Sequence, residues 1–203
     1  MFNVRMRKSN GISKRGTRRG DDSTMVTRTS ARPVFDIRPF QARDLDDILA
    51  IEQESFSEPW TRSMFEAELQ GNPFGRFLGA FLSGEMSSPR PLIGYICYWV
   101  VFEELRLMNL AVRQDCRRLG IASRLVRHAI EEGIAQGTTR ALLEVRAGNF
   151  VGQQLYQALG FRQYGCRRSY YTNPNEDAIL MQLPLTNNIH GQDSLHDKGG
   201  VSC

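Results

Sequence analysis

The sequence predicts an α/β sandwich, a mixed and mostly antiparallel central sheet flanked by helices in the order β-α-α-β-β-β-α-β-α-β-β. Three observations predict it. Apolar runs at 76–82, 92–101 and 105–112 follow one another across short turn-rich links, the pattern of an antiparallel meander. A long helix at 118–136 then carries one continuous apolar stripe through Leu119, Ala122, Leu125, Val126, Ala129, Ile130 and Gly133. A strand, a second helix and two closing strands complete the sheet. Neither G-x-G-x-x-G nor G-x-x-x-x-G-K-[ST] occurs, which weighs against a dinucleotide or nucleoside-triphosphate fold.

Each element has a local reason. Residues 34–40 alternate as a strand. A helix over 44–53 opens with Asp44, Asp46 and Asp47, acids that suit the positive end of its dipole. Leu45, Ile48, Leu49 and Glu52 set its period. Thr61 caps a short helix at 62–69, which Gly71, Asn72 and Pro73 break. Residues 92–101 are apolar on both faces, as a central strand is. Gly137 ends the long helix. Residues 139–145 form a strand, and Asn149 caps a helix whose stripe is Val151, Leu155 and Leu159, closed by Gly160. Runs at 161–164 and 178–183 make a last strand pair around a polar loop at 172–177.

The domain spans 33–185. Nine of the 26 Arg and Lys residues fall in 1–32 with only two acids, so the basic excess belongs to a tail. That tail has too little apolar surface to fold. It reads as a solvated tail, as sequence upstream of a start at Met25, or as a weak RNA-contacting arm. A mobile tail is expected at 186–203. Cys97, Cys116, Cys166 and Cys203 have no C-x-x-C spacing and no clustered histidine, so free thiols, no metal site and a cytoplasmic location are expected. The longest apolar run is too short to span a bilayer.

The stretch 108–123 does not follow from packing alone. A strand ends at Val112, a polar turn follows, and Arg117-Arg118-Leu119-Gly120-Ile121-Ala122 leads into the striped helix. A helix N-terminus beside basic residues and a glycine is suited to a phosphate group.

That hexapeptide fits [RQ]-x-x-G-x-[GA], and the chain resembles the GNAT superfamily of N-acetyltransferases. It is closest to the bacterial ribosomal-protein-alanine N-acetyltransferases. The nearer likeness rests on I-E-Q-E-S-F-S-E-P-W (51–60), N-L-A-V (109–112), L-E-V-R-A-G-N (143–149) and L-Y-Q-A-L-G-F (155–161), extended by R-R-S-Y-Y (167–171) and E-D-A-I (176–179). Alanine at 122, where the family often has glycine, narrows the approach slightly.

The resemblance implies acetyl-coenzyme A as donor, no metal, and a ribosomal protein's N-terminal α-amine as acceptor. It implies pantetheine along Leu110, Ala111 and Val112, and pyrophosphate on Arg118, Leu119, Gly120, Ile121, Ala122 and Ser123 with Arg117 beside them. Asn149 would contact the cofactor, Glu144 would be general base and Tyr156 general acid. A backbone N–H near Val112 would meet the oxyanion, and transfer would be direct, in a ternary complex. Trp60, Tyr170 and Tyr171 either line the acceptor groove or belong to the core, and His128 has no role. A monomer without a specific nucleic-acid or membrane partner is expected. The alternatives are another amine acceptor, a small molecule or lysine, and a coenzyme-A-binding module without catalysis.

Overall fold

The structure, a computed structural model, describes residues 34–83 and 91–185. The two expected tails lie outside the described residues. The elements are β1 (Phe35–Pro39), α1 (Leu45–Ser55), α2 (Arg62–Gly71), β2 (Gly75–Leu82), β3 (Leu92–Val101), β4 (Glu104–Val112), α3 (Ile121–Ala135), β5 (Arg140–Arg146), α4 (Phe150–Ala158), β6 (Arg162–Thr172) and β7 (Asn175–Pro184), with 3-10 turns at Ala42–Asp44 and Gln114–Cys116. This is the predicted order. The seven strands form one sheet, β1-β2-β3-β4-β5-β7-β6, antiparallel except where β4 meets β5.

Each face of the sheet carries a core. On one, Ile121, Leu125, Val126 and Ala129 of α3 and Tyr156 of α4 pack on Ile96, Leu105, Leu107, Leu110, Leu143 and Val145. On the other, Leu45, Ile48 and Ile51 of α1, Trp60 and Phe65 pack on Tyr95, Cys97, Met108 and Ala111. Strand β3 is buried along nearly its whole length because both layers cover it.

Two irregularities in β4 shape the molecule. Cys97 lies opposite Asn109 but Tyr98 lies opposite Leu107, so Met108 is an extra residue, a β-bulge. The bulge switches which residues face which layer. Leu105 and Leu107 face α3 before it, and Leu110 and Val112 face α3 after it. It also turns Asn109 toward α1, where its Nδ2 donates to Glu52. The second irregularity is a split. β4 pairs with β5 only from Glu104 opposite Arg140 to Leu107 opposite Leu143, while β5 stays paired with β7 as far as Arg146. Beyond Leu107 the two strands diverge and leave a slot through the middle of the sheet.

Three expectations need correction. The long helix begins at Ile121 rather than 118, because Arg118 and Gly120 take positive φ angles of 64° and 81°, outside the α-helical region. The sixth strand runs to Thr172, far past 164. Its pairing is interrupted between Gln163 and Gly165 and again between Arg167 and Tyr171, which erases the alternation that would announce a strand. Cys97 and Cys116 are free and buried, but Cys166, half-buried on the edge strand β6, is disulfide-bonded.

Candidate active site

The phosphate turn is built by the αL residue Gly120. A Cβ there would meet nothing within 4 Å, so the glycine serves backbone conformation and open approach, not packing. The first intrahelical bond of α3 runs from Arg124 N–H to Gly120 C=O, and no side chain caps the helix. The N–H groups of Ile121, Ala122 and Ser123 are therefore free to meet an anion at the positive end of the dipole. The residues present fit a pyrophosphate.

This turn forms one wall of a cleft of about 250 Å³. Ala111 and Val112 of β4, Val151 and Leu155 of α4 and Ser55 of α1 also line it. Of the predicted cofactor residues, Ala111, Val112, Arg117, Arg118, Gly120, Ile121, Ala122 and Ser123 line the cleft. Leu110 is buried beside it in the α3 core, Leu119 is exposed, and Asn149 is buried at the start of α4. Arg117 points inward: its Nε donates to Val112 C=O at 3.0 Å and its Nη2 to Ser55 Oγ at 3.2 Å. Sequence reasoning missed Ser55, Cys116, Val151 and Leu155. Val151 and Leu155 were legible only as a core stripe, and nothing local marks Ser55.

The strand edge facing the slot follows from pairing parity. Arg113 N–H bonds Ile93 C=O, so Arg113 faces β3 and its neighbour Val112 faces away. Leu110 shares the orientation of Val112, two residues on. Their N–H groups open into the slot where β5 has already diverged.

Glu144 lies on β5 at the level of the slot. Its Oε1 pairs with Arg167 Nη1 at 2.7 Å, while its Oε2 is buried with no partner among the described residues. Since Leu143 and Val145 face α3 and α4, Glu144 faces the α1–α2 side. Tyr156 belongs to the opposite core, is 0% exposed and has no partner for its hydroxyl among the described residues. Burial, with a smaller contribution from Tyr171, pushes its pKa well above the usual phenol value and keeps it protonated. Asn149 caps α4 as predicted, with Oδ1 accepting from Gly152 N–H at 3.0 Å, and leaves its Nδ2 buried and unpartnered. Buried polar groups are almost always satisfied, and Glu144, Asn149 and Tyr156 each leave a polar atom without a protein partner among the described residues, although none of the three lines the cleft.

The α1–α2 loop and the β6–β7 turn meet beside Glu144. Arg146, its side chain 10% exposed, donates to the carbonyls of Asn173 and Pro174 at 3.0 and 3.1 Å. It also pairs with Glu176 at 3.2 Å and Glu58 at 3.6 Å, and stacks over Tyr171 at 4.1 Å. Tyr171 is buried, and Trp60 packs on Phe65 in the α1–α2 core with its N–H bonded to Glu52. Tyr170 is half-buried and stacks edge-on against Tyr171.

A sheet split at its centre, with an uncapped helix N-terminus on one side and a half-satisfied carboxylate on the other, is the framework of a transferase that takes an acyl thioester of a phosphate-bearing carrier. The chain belongs to the acetyltransferase (GNAT) family, whose model matches residues 45–161. It is an acetyltransferase, and acetyl-coenzyme A is its co-substrate. It is 34% identical over 152 residues to the Escherichia coli [ribosomal protein bS18]-alanine N-acetyltransferase, covering 74% of this chain and 97% of that one. The crystal structure of the E. coli ribosomal-protein alanine N-acetyltransferase superposes with a TM-score of 0.66 at 31% identity, covering 80% of this chain and 100% of that one. The NatC complex bound to Gag peptide and CoA matches with a TM-score of 0.66 at 25% identity, covering 75% and 99%.

Proposed function

We propose that the protein acetylates the N-terminal α-amine of a protein, with the alanine of ribosomal protein bS18 as its acceptor, by direct transfer within a ternary complex. The observation that supports this reading is that Glu144 and Tyr156 lie on opposite faces of the sheet, with Glu144 one residue past the point where β4 and β5 part. Donor and acceptor can then approach each other through the slot, the donor along the α3–α4 face and the acceptor from the α1–α2 face. The names of the relatives support this acceptor, and a ribosomal-protein acceptor is consistent with a cytoplasmic reaction.

The residues divide the work. The N–H groups of 121–123 hold the pyrophosphate, and the edge N–H groups of Leu110 and Val112 hold the pantetheine arm. An α-amine has a pKa near ~8, so at neutral pH Glu144 must take its proton, directly or through a water, before nitrogen can attack the thioester carbon. As the N–C bond forms and the C–S bond breaks, a backbone N–H near Val112 stabilises the negative oxygen. Tyr156, still protonated, donates toward the departing sulfur. Asn149 is placed to contact the carrier with its free Nδ2.

The test uses a peptide with the bS18 N-terminal sequence, its α-amine free or blocked. The free peptide should be acetylated and the blocked one not. Glu144→Gln should lower turnover by about 10²-fold or more and leave coenzyme A binding intact. Acetylation of the blocked peptide would overturn the acceptor assignment, and wild-type turnover in the Gln variant would remove Glu144 from the chemistry.

A further inference from the structure

The carboxylate that must meet the acceptor amine already holds a cation. Arg167 Nη1 lies 2.7 Å from Glu144 Oε1. The two residues sit two strands apart, across β7. Ala178 lies opposite both Arg146 and Arg167, and Leu180 lies opposite both Glu144 and Gly165. Directly opposed residues share a face, so Glu144, Arg146 and Arg167 all project to the α1–α2 side. The small side chain of Ala178 lets the Arg167 chain cross β7 to reach Glu144.

The two arginines beside Glu144 differ in how they are held. Arg146 is nearly buried and bound to two carboxylates and two carbonyls. The Arg167 side chain is 53% exposed, and beyond Glu144 it rests only 5.3 Å from the Tyr170 ring. The backbone of Arg167 is paired with Ala178, and the interruption that follows is tied by Ser169 N–H to Asp177 Oδ1 at 2.7 Å. What differs is the side chain: one guanidinium is held by four acceptors, the other is half in solvent with Glu144 as its ion-pair partner.

We propose that Arg167 is a stand-in for the acceptor's α-ammonium: it neutralises Glu144 in the free enzyme and is displaced when the acceptor amine arrives. This rests on the reading of Glu144 as the amine's base. Arg167 is then a positioning residue that sets how tightly any amine must bind to open the site. Because it competes with the ammonium and not with the rest of the acceptor, its effect is the same for short and long acceptors.

The experiment compares the unaltered protein with Arg167→Gln, using alanine amide and a bS18 N-terminal peptide as acceptors. A half-exposed pair contributes little, so the KM for both acceptors should fall by the same factor, up to about five-fold, with the acetyl-CoA KM unchanged. An unchanged or raised acceptor KM, or a change seen only with the long peptide, overturns the proposal. A second measurement does not depend on the variant's activity. The Arg167 guanidinium resonance, assigned by its loss in the Gln variant, should move toward that of free arginine when peptide is added to the CoA-loaded protein; a resonance that stays in place overturns the proposal. Failure of the underlying reading has a different signature, wild-type turnover on both acceptors by Glu144→Gln, and that removes both.

Discussion

Glu52 is a wholly buried acid that accepts from Tyr95 Oη, Asn109 Nδ2 and the Trp60 backbone N–H. Its carboxylate and the burial around it push the Tyr95 phenol pKa well above its usual value, burial contributing most. These bonds tie α1 to the start of α2 and to the residue that follows the bulge in β4. Glu52→Ala would strand three buried donors, so the folded state should lose on the order of 3–5 kcal/mol, read as a lower denaturant midpoint with unchanged m. A midpoint within 0.5 kcal/mol of wild type, at the level of a surface substitution, would show that these donors find other partners. Glu52 also marks a limit of reading a chain locally. At helical spacing it falls on the apolar stripe of α1, where it reads as one more position of the period. Its partners lie 43 and 57 residues away on other strands, and no local pattern reports them. Glu144 stood out for the opposite reason, lying inside L-E-V-R-A-G-N, one of the stretches that carry the resemblance.

At the scale of elements, what could be read depends on whether a regularity is kept. The α3 stripe, the Thr61 and Asn149 caps and the Gly137 and Gly160 stops were visible because each rests on residues a few positions apart. The bulge in β4 and the broken pairing of β6 were not, since a one-residue slip cancels the alternation that signals a strand. The turn into α3 was seen as a motif, but its conformation was not: Arg118 joins Gly120 at positive φ. Gly120→Ala tests the turn by itself. Space is available for the methyl group, so the cost is the left-handed backbone, about 1–2 kcal/mol, together with a Cβ beside the cleft. If the strain is relieved by rotating the turn away from its phosphate-binding geometry, coenzyme A affinity should drop about ten-fold in calorimetric titration. The KM of the acceptor should stay the same. A melting temperature lowered with coenzyme A affinity intact would mean that the turn's N–H donors are not the phosphate site.

For the whole molecule, the split sheet separates two tasks that a single cleft would mix. In the proposed reading one ligand rests on α3, a helix packed along the core, and the other meets the α1–α2 loop and the β6–β7 turn. Those loops are joined by Arg146 through Glu58, Glu176 and the carbonyls of Asn173 and Pro174, with Ser57 Oγ donating to Asn173 C=O at 3.3 Å as a second, exposed link. A nearly buried guanidinium that satisfies four acceptors cannot be replaced by the exposed link, because exposed polar pairs are worth at most about 1 kcal/mol. Arg146→Gln keeps polarity but cannot span these partners, so it should release the α1–α2 loop from the β6–β7 turn without disturbing the α3 turn. Hydrogen exchange should then quicken at 56–60 and 172–176 and remain unchanged at 120–126, and the acceptor KM should rise about ten-fold while coenzyme A affinity holds. Loss of protection spread evenly through both cores would instead make Arg146 part of global stability. The two binding surfaces would then be one mechanical unit, which the divergence of β4 from β5 after Leu107 argues against.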